Sequence, residues 1–184
     1  MTLIPADQPP ALPASISLGS LPAGRAMETV DEQVVRAPLQ RIFALARDVE
    51  HWPALLAHYR YVRFRQRDAT HGGVVEMAAN RPFGLIDWPT WWLSEMEVRT
   101  PAGAAPEIRF RHIGGITKGM DVAWTFEDLG HATLVKIIHV WDGPSWPIIG
   151  VEAARMVIGP VFVHGIASRT LSGLAQVAER GGSG

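Results

Sequence analysis

Between residues 107 and 142 polar and apolar side chains alternate with a period of two, broken twice by glycine-bearing turns. In 119–128, Val122, Trp124 and Phe126 fall on one face and Asp121, Thr125 and Glu127 on the other, the pattern of a strand with one covered side. Residues 129–131 make a turn. From 132 to 142 both faces are mostly apolar, but a lysine head is rarely buried without a partner, so Lys136 marks its own side, with Leu134 and Ile138, as outward. Val135, Ile137, His139 and Trp141 then point inward. The same logic applied to 107–113 sends Arg109 and Arg111 outward and Ile108, Phe110 and His112 inward. Two histidines and two tryptophans share one side of a three-stranded wall.

The rest of the chain predicts the layers around that wall. A strand over 28–36 carries Val30, Val34 and Val35 as apolar markers. Pro38 sits where a helix favours proline, and Leu39, Ile42, Phe43, Ala46 and Val49 follow at helical spacing. A second short helical stretch covers 52–57. Strands are predicted over 58–67, with Val62 and Phe64 inward, over 72–79, with Val75 and Met77, and over 86–98. In the last of these Trp92, Ser94 and Met96 oppose Glu95 and Glu97, and Pro89 removes a ladder donor, which implies an edge, bulge or bend. Residues 100–106 form a turn. A final helix over 160–179 places Val163, Ala167, Thr170, Leu174 and Val177 on one side and is long enough, at about 30 Å, to cross a sheet.

Composition limits the function classes. The 184 residues suit one domain, and 47% hydrophobic with 19% charged residues describes a packed protein. With 17 basic and 18 acidic residues there is no concentrated positive charge for nucleic acid. The chain has no cysteine, which excludes disulfide and thiolate chemistry and fits a cytoplasmic protein. There is no HExxH and no clustered acidic loop, so neither a metal nor another cofactor is expected. Residues 1–27, rich in Pro, Ala and Ser without a basic start, read as an extended or flexible arm, 28–180 as the domain and 181–184 as a flexible tail. No window has the apolar length of a spanning helix; 146–163 is apolar enough for peripheral membrane contact at most.

One strand, two short helices, six further antiparallel strands and a long C-terminal helix make an α+β fold with a cavity between sheet and helix. With RAPLQRIFALARDVEHWPALLAHYRYVRF at the front, HIGGITKGMDVAWTFEDLGHATLVKIIHVWD in the middle and IGPVFVHGIASRTLSGLAQVAE at the end, this layout resembles the START-like (Bet v 1-like, SRPBCC) superfamily. Within it the chain is most similar to the polyketide cyclase/dehydrase and lipid-transport group, over roughly 28–179. The resemblance implies a helix-grip fold, a curved seven-stranded antiparallel sheet around the C-terminal helix, and a hydrophobic guest such as a polyketide, isoprenoid or lipid.

Candidate chemistry follows from the inward faces. His112 and His139 can act as acid or base near neutral pH, or can be buried histidines that satisfy a neighbour. Trp88, Trp92, Trp124 and Trp141 can wall a flat guest or be core, while Trp91 belongs to the other side. Tyr59, where the short helix meets the second strand, and Arg81, expected in the loop after the third strand, lie where such a fold opens its pocket; their polar heads can polarise a ketone. The expected lining is completed by Val62, Phe64, Met77, Ser94, Phe110, Phe126 and Ile137. The GGITKG run at 114–119 lacks the order of a phosphate loop and lies between strands, so it is a hairpin turn, and Ser145 has no nucleophile-elbow context. Two functions remain: a cyclase that folds a poly-ketone for aldol closure and loss of water, with His112 as acid or base and Tyr59 or His139 assisting, and a carrier of a quinone, sterol or lipid.

Overall fold

A computed structural model describes residues 15–83, 86–143 and 164–181, with side chains for all of these but 81–83, 86–88 and 164. The chain runs β1 (Met27–Val35), α1 (Leu39–Arg47), a 3-10 turn (Val49–His51), α2 (Trp52–Leu55), β2 (Tyr59–Arg67), β3 (Gly73–Phe83), β4 (Ile86–Arg99), β5 (Glu107–Gly115), β6 (Asp121–Asp128), β7 (Thr133–Trp141) and α3 (His164–Arg180). The strands form one seven-stranded antiparallel sheet in the order β1-β7-β6-β5-β4-β3-β2. Sequential neighbours pair by hairpins, and only the first strand returns to close the far edge beside β7.

Local chemistry sets the ends of the elements. Pro38 caps α1 at φ −59°, the angle its ring enforces, and its carbonyl accepts the Arg41 amide at 3.0 Å. In α3, Thr170, Leu171, Leu174, Ala175 and Ala178 are buried, a stripe at helical spacing that packs on β1, α1 and α2. Gly173 lies where a Cβ would collide with Leu56, so the missing side chain lets α3 approach the end of α2. The core between helix and sheet contains Ile42, Phe43, Trp52, Met96, Ile108, Phe126, Val135 and Leu174.

Two sequence expectations are corrected. β3 runs to Phe83 rather than stopping near 79, because its hairpin with β4 stays in register from Gly73↔Met96 to Phe83↔Ile86. Arg81 is therefore a strand residue paired with Trp88, not a loop residue; the side chains of both lie outside the described residues. Pro89 sits, as expected, at a local edge: β5 joins β4 only from Trp92↔Gly115 onward, so at Pro89 one side of the ladder has no partner strand among the described residues and the lost donor costs little. A separate irregularity lies further on, where the register shifts between Leu93 and Ser94 and Gly115 takes φ +88° against the Trp91 carbonyl. Pro160 and the apolar 146–163 lie outside the described residues.

Outward also proves different from exposed. Arg109 is on the convex face as expected but only 1% exposed, and Asp121 beside it is 2% exposed. Residues 15–26 cover them as an extended strap without regular structure. The Leu18 amide donates to Glu97 at 2.8 Å, the Leu18 carbonyl accepts from Arg111, and the Gly19 carbonyl accepts from Arg99 and Arg109 at 2.6 and 3.1 Å. Leu18 itself is buried, and Arg25 pairs with Asp142 at the end of β7.

Candidate functional site

The concave side of the sheet, α2 and α3 enclose a cavity of about 90 Å³. An engineered cavity of roughly 150 Å³ in another protein admits benzene, so this smaller space suits a small guest or part of a larger one and must widen to take a whole ring. Its walls come from every layer: Trp52 from α2, Tyr59 from β2, Met77 from β3, Thr90 and Trp92 from β4, Phe110 and His112 from β5, Met120, Val122 and Trp124 from β6 and its turn, Ile137 and His139 from β7, and Ile166, Ala167 and Thr170 from α3, with Thr117 from the β5–β6 turn. Alternation explains the sheet's share, since 110 and 112, 122 and 124, and 137 and 139 are each two apart. No described lining residue is a Lys, Arg, Asp or Glu.

The aromatic rings form a connected panel. Trp52 lies 5.3 Å from Tyr59 and 5.7 Å from Trp124 between ring centres, Tyr59 lies 6.2 Å from Trp92, and Trp92 stacks on His112 at 6.1 Å and 24°. Such tilted and offset pairs hold large flat faces in place without close packing on the cavity side.

Two polar poles interrupt this panel. At the first, His112 Nδ1 meets Thr117 Oγ1 at 2.7 Å, so the turn that precedes β6 orients the ring and leaves Nε2 as its second hydrogen-bonding atom. His139, on β7, is opposite Val122 in the sheet, and its Nδ1 is buried without a partner among the described residues. Burial lowers His112 to about 4; burial, then the nearby His112, lowers His139 to about 3. Both rings are neutral at pH 7, each with one N–H donor and one bare nitrogen acceptor. At the second pole the Tyr59 hydroxyl is 3.3 Å from Thr170 Oγ1, which is 3.0 Å from His58 Nε2. Burial raises the Tyr59 pKa, with the Thr170 bond acting the other way, so the phenol stays protonated.

Of the residues expected at a site, the structure brings Tyr59, Met77, Trp92, Phe110, His112, Trp124, Ile137 and His139 to one cavity. It places five elsewhere. Val62 is in the core, Phe64 lies under the Arg67 guanidinium, and Phe126 packs edge-on against Phe43. Trp141 donates its indole N–H to the Lys118 carbonyl at 3.0 Å and so anchors the β5–β6 turn. Ser94, fully buried with an unpartnered Oγ among the described residues, pairs with His112 across β4 and β5 but does not border the cavity. Trp91 is 54% exposed on the convex side.

Residues missed at the sequence level are Trp52, Thr90, Thr117, Met120, Val122, Ile166, Ala167 and Thr170. Val122, Ala167 and Thr170 were legible as inward positions. Thr117 was not, since a threonine in a hairpin turn carries no sign that it folds back on a histidine five residues earlier.

The family described as polyketide cyclase/dehydrase and lipid transport matches residues 35–162. The chain belongs to this family. It is a START-like protein with a helix-grip fold, and family membership makes it a hydrophobic-ligand protein. Solved structures with the same fold include TTHA0849 from Thermus thermophilus, 21% identical over 86% of this chain and 100% of that one with a TM-score of 0.68. The Zhui aromatase/cyclase from Streptomyces sp. R1128 is 15% identical over 84% and 94%, TM-score 0.66. A START superfamily protein from Mycobacterium smegmatis is 13% identical over 83% and 97%, TM-score 0.63. At these identities the likeness is one of fold. A search of curated proteins found no match. Among the described residues no helix is long and apolar enough to cross a membrane, and no cluster of His, Asp or Glu could hold a metal.

Proposed function

We propose that the cavity binds an uncharged, largely aromatic or poly-ketone guest and assists its aldol closure and dehydration, as a polyketide cyclase/dehydrase. The observation that carries this reading is the convergence of His112, His139, Tyr59 and three threonines on a Trp-lined cavity with no charged side chain among its described residues, one imidazole nitrogen being unpartnered among them. A buried donor or acceptor without a partner costs on the order of 1–3 kcal/mol, which a guest hydroxyl or carbonyl would offset. A carboxylate guest would find no counter-charge on these walls, so neutral guests are favoured.

The chemistry needs few groups. An enolic carbon of the folded chain attacks a ketone carbon, a C–C bond forms, the ketone oxygen becomes a hydroxyl, and that hydroxyl leaves as water with an adjacent proton. Positioning the two carbons supplies much of the rate. Because His112 and His139 are pushed well below neutrality they are poor bases toward a carbon acid in the empty cavity. Their role is that of neutral hydrogen-bond partners to the developing enolate or alkoxide oxygen, His112 being held in place by Thr117.

The same depressed basicity favours a second reading, a carrier that sequesters a quinone, sterol or lipid and performs no proton transfer. Native mass spectrometry of protein purified from its source, followed by single-turnover incubation of any co-purifying poly-ketone, separates the two. Closure and loss of water that slow about tenfold or more in His112→Ala support the cyclase. A guest released unchanged by both proteins supports the carrier. A protein that is empty and binds neither aromatic ketones nor isoprenoids overturns both.

A further inference from the structure

His58 lies outside the cavity lining, yet it contacts the cavity through Thr170. Its Nε2 is 3.0 Å from Thr170 Oγ1, its ring is 4.7 Å from that of Tyr59, and it is half-buried. Thr170 links His58 Nε2 to the Tyr59 hydroxyl, and its own hydroxyl has one proton and two lone pairs to share. Three partners compete for it: His58, Tyr59 at 3.3 Å and the Ile166 carbonyl at 2.8 Å. In a helix the Ile166 carbonyl is also the regular acceptor of the Thr170 amide, so it does not depend on the hydroxyl.

We infer that His58 is a positioning residue that sets the direction of the hydrogen bond chain, so that Tyr59 donates its phenolic proton to a carbonyl oxygen of the bound guest. With Nε2–H of His58 donating to Thr170, one lone pair of the threonine is occupied and its proton is shared between the Ile166 carbonyl and Tyr59. The phenol oxygen then accepts from Thr170 and its own proton faces the cavity. The sequence His58 N–H, Thr170 O–H, Tyr59 O–H, guest O=C has every donor pointing the same way, and such chains strengthen each bond by polarising the next. Without His58 both threonine lone pairs are free, and Tyr59 spends its proton on Thr170 instead. The site then presents an oxygen acceptor where it had presented a donor.

This rests on the guest-binding reading above and deepens it: one carbonyl of the guest sits at the Tyr59 pole, apart from the oxygen held by His112 and His139. The test uses two probes of similar shape, acetophenone and ethylbenzene, only the first of which carries a carbonyl. Infrared spectroscopy of bound acetophenone should show its C=O band shifted to lower frequency than in a hydrocarbon solvent. Tyr59→Phe should abolish the shift, His58→Leu should lose most of it, and His58→Gln, whose amide N–H replaces Nε2–H, should restore it. The preference for acetophenone over ethylbenzene should fall by up to about tenfold in Tyr59→Phe and His58→Leu, the fold-change of one neutral hydrogen bond. Ethylbenzene binding, unchanged within about twofold, shows that each variant keeps its cavity; if His58→Leu fails that control, His58→Phe, which keeps a ring beside Tyr59 but carries no N–H donor, decides in its place. A band that stays shifted in His58→Leu or His58→Phe, or an unshifted band in the wild type with both probes bound, overturns the inference alone. A wild type that binds neither probe overturns the guest-binding reading and this inference with it.

Discussion

On the convex face of the sheet Arg99 is met by Glu97 at 2.7 Å and Glu107 at 3.0 Å, Arg111 by Asp121 at 2.9 Å, and the strap adds carbonyls to Arg99, Arg109 and Arg111. On the concave face His139 is buried and His112 partly buried, but no counter-charge lines the cavity with them among the described residues. The first region solves the cost of burying polar groups by supplying opposite charge, the second by keeping its groups neutral. The difference separates stability from function. Charges that neutralise one another have little left for a ligand, whereas a neutral imidazole still offers a ring nitrogen to one: Nε2 of His112 and Nδ1 of His139.

The largest expected effect breaks that neutrality. In the unfolded chain a histidine titrates near 6.5, whereas His112 and His139 hold no proton in the folded state until about pH 4 and 3. Below 6.5 the unfolded state therefore binds more protons, and stability falls as pH drops from 6.5 through 4 and 3, after which the loss levels off. By pH 4.5 the two together should have removed on the order of 5 kcal/mol relative to pH 7.5. Urea unfolding across this range checks it: His112→Gln with His139→Gln should flatten the curve, and an unchanged curve in the double variant would mean that the histidines are not buried as neutral groups.

On the convex face the corresponding break is Asp121→Asn, which leaves Arg111 without its carboxylate under the strap. The expected cost is about 1–2 kcal/mol in unfolding free energy, with affinity for cavity probes unchanged. A loss of binding without a loss of stability would mean that the two faces are coupled.

The fold was readable in advance because alternation is a local property: each strand of the wall announces its inward side through its own residues, and one lysine, Lys136, was enough to orient β7. The cavity was readable to the extent that it lies on those sides, which is why His112, His139 and Trp92 were reached from sequence. What could not be read was anything created by long-range closure. The strap turned Arg109 from a surface residue into a buried one, and α3 brought Thr170 to Tyr59, 111 positions away. Phe126 and Trp141 share an inward side with cavity residues but lie where helix α1 or the β5–β6 turn already fills the space. Periodicity assigns a face; it does not say where on that face the packing leaves a gap.

A smaller effect sharpens the contrast within the concave side. His139→Leu removes a ring whose Nδ1 has no partner among the described residues, so at pH 7.5 stability should change by less than about 1 kcal/mol in either direction. Binding of a hydroxylated aromatic probe such as 1-naphthol should weaken about five- to tenfold, while naphthalene should bind as before or better. Equal losses for both probes would make His139 a packing residue.

The smallest effect provides the reference for the convex face. Lys136 and Glu32 lie 3.1 Å apart with side chains 39% and 56% exposed, beyond the cover of the strap. Water solvates both partners before and after the pair is broken, and holding two long side chains together costs rotamer entropy, so Glu32→Gln should change the unfolding free energy by no more than about 0.5 kcal/mol and still less at high salt. The ratio of this loss to that of Asp121→Asn measures what coverage contributes, since both variants delete one carboxylate from one ion pair on the same sheet. Were the two losses equal, the burial of Asp121 beneath the strap would contribute nothing, and the charge-paired half of the comparison would reduce to an ordinary solvated surface.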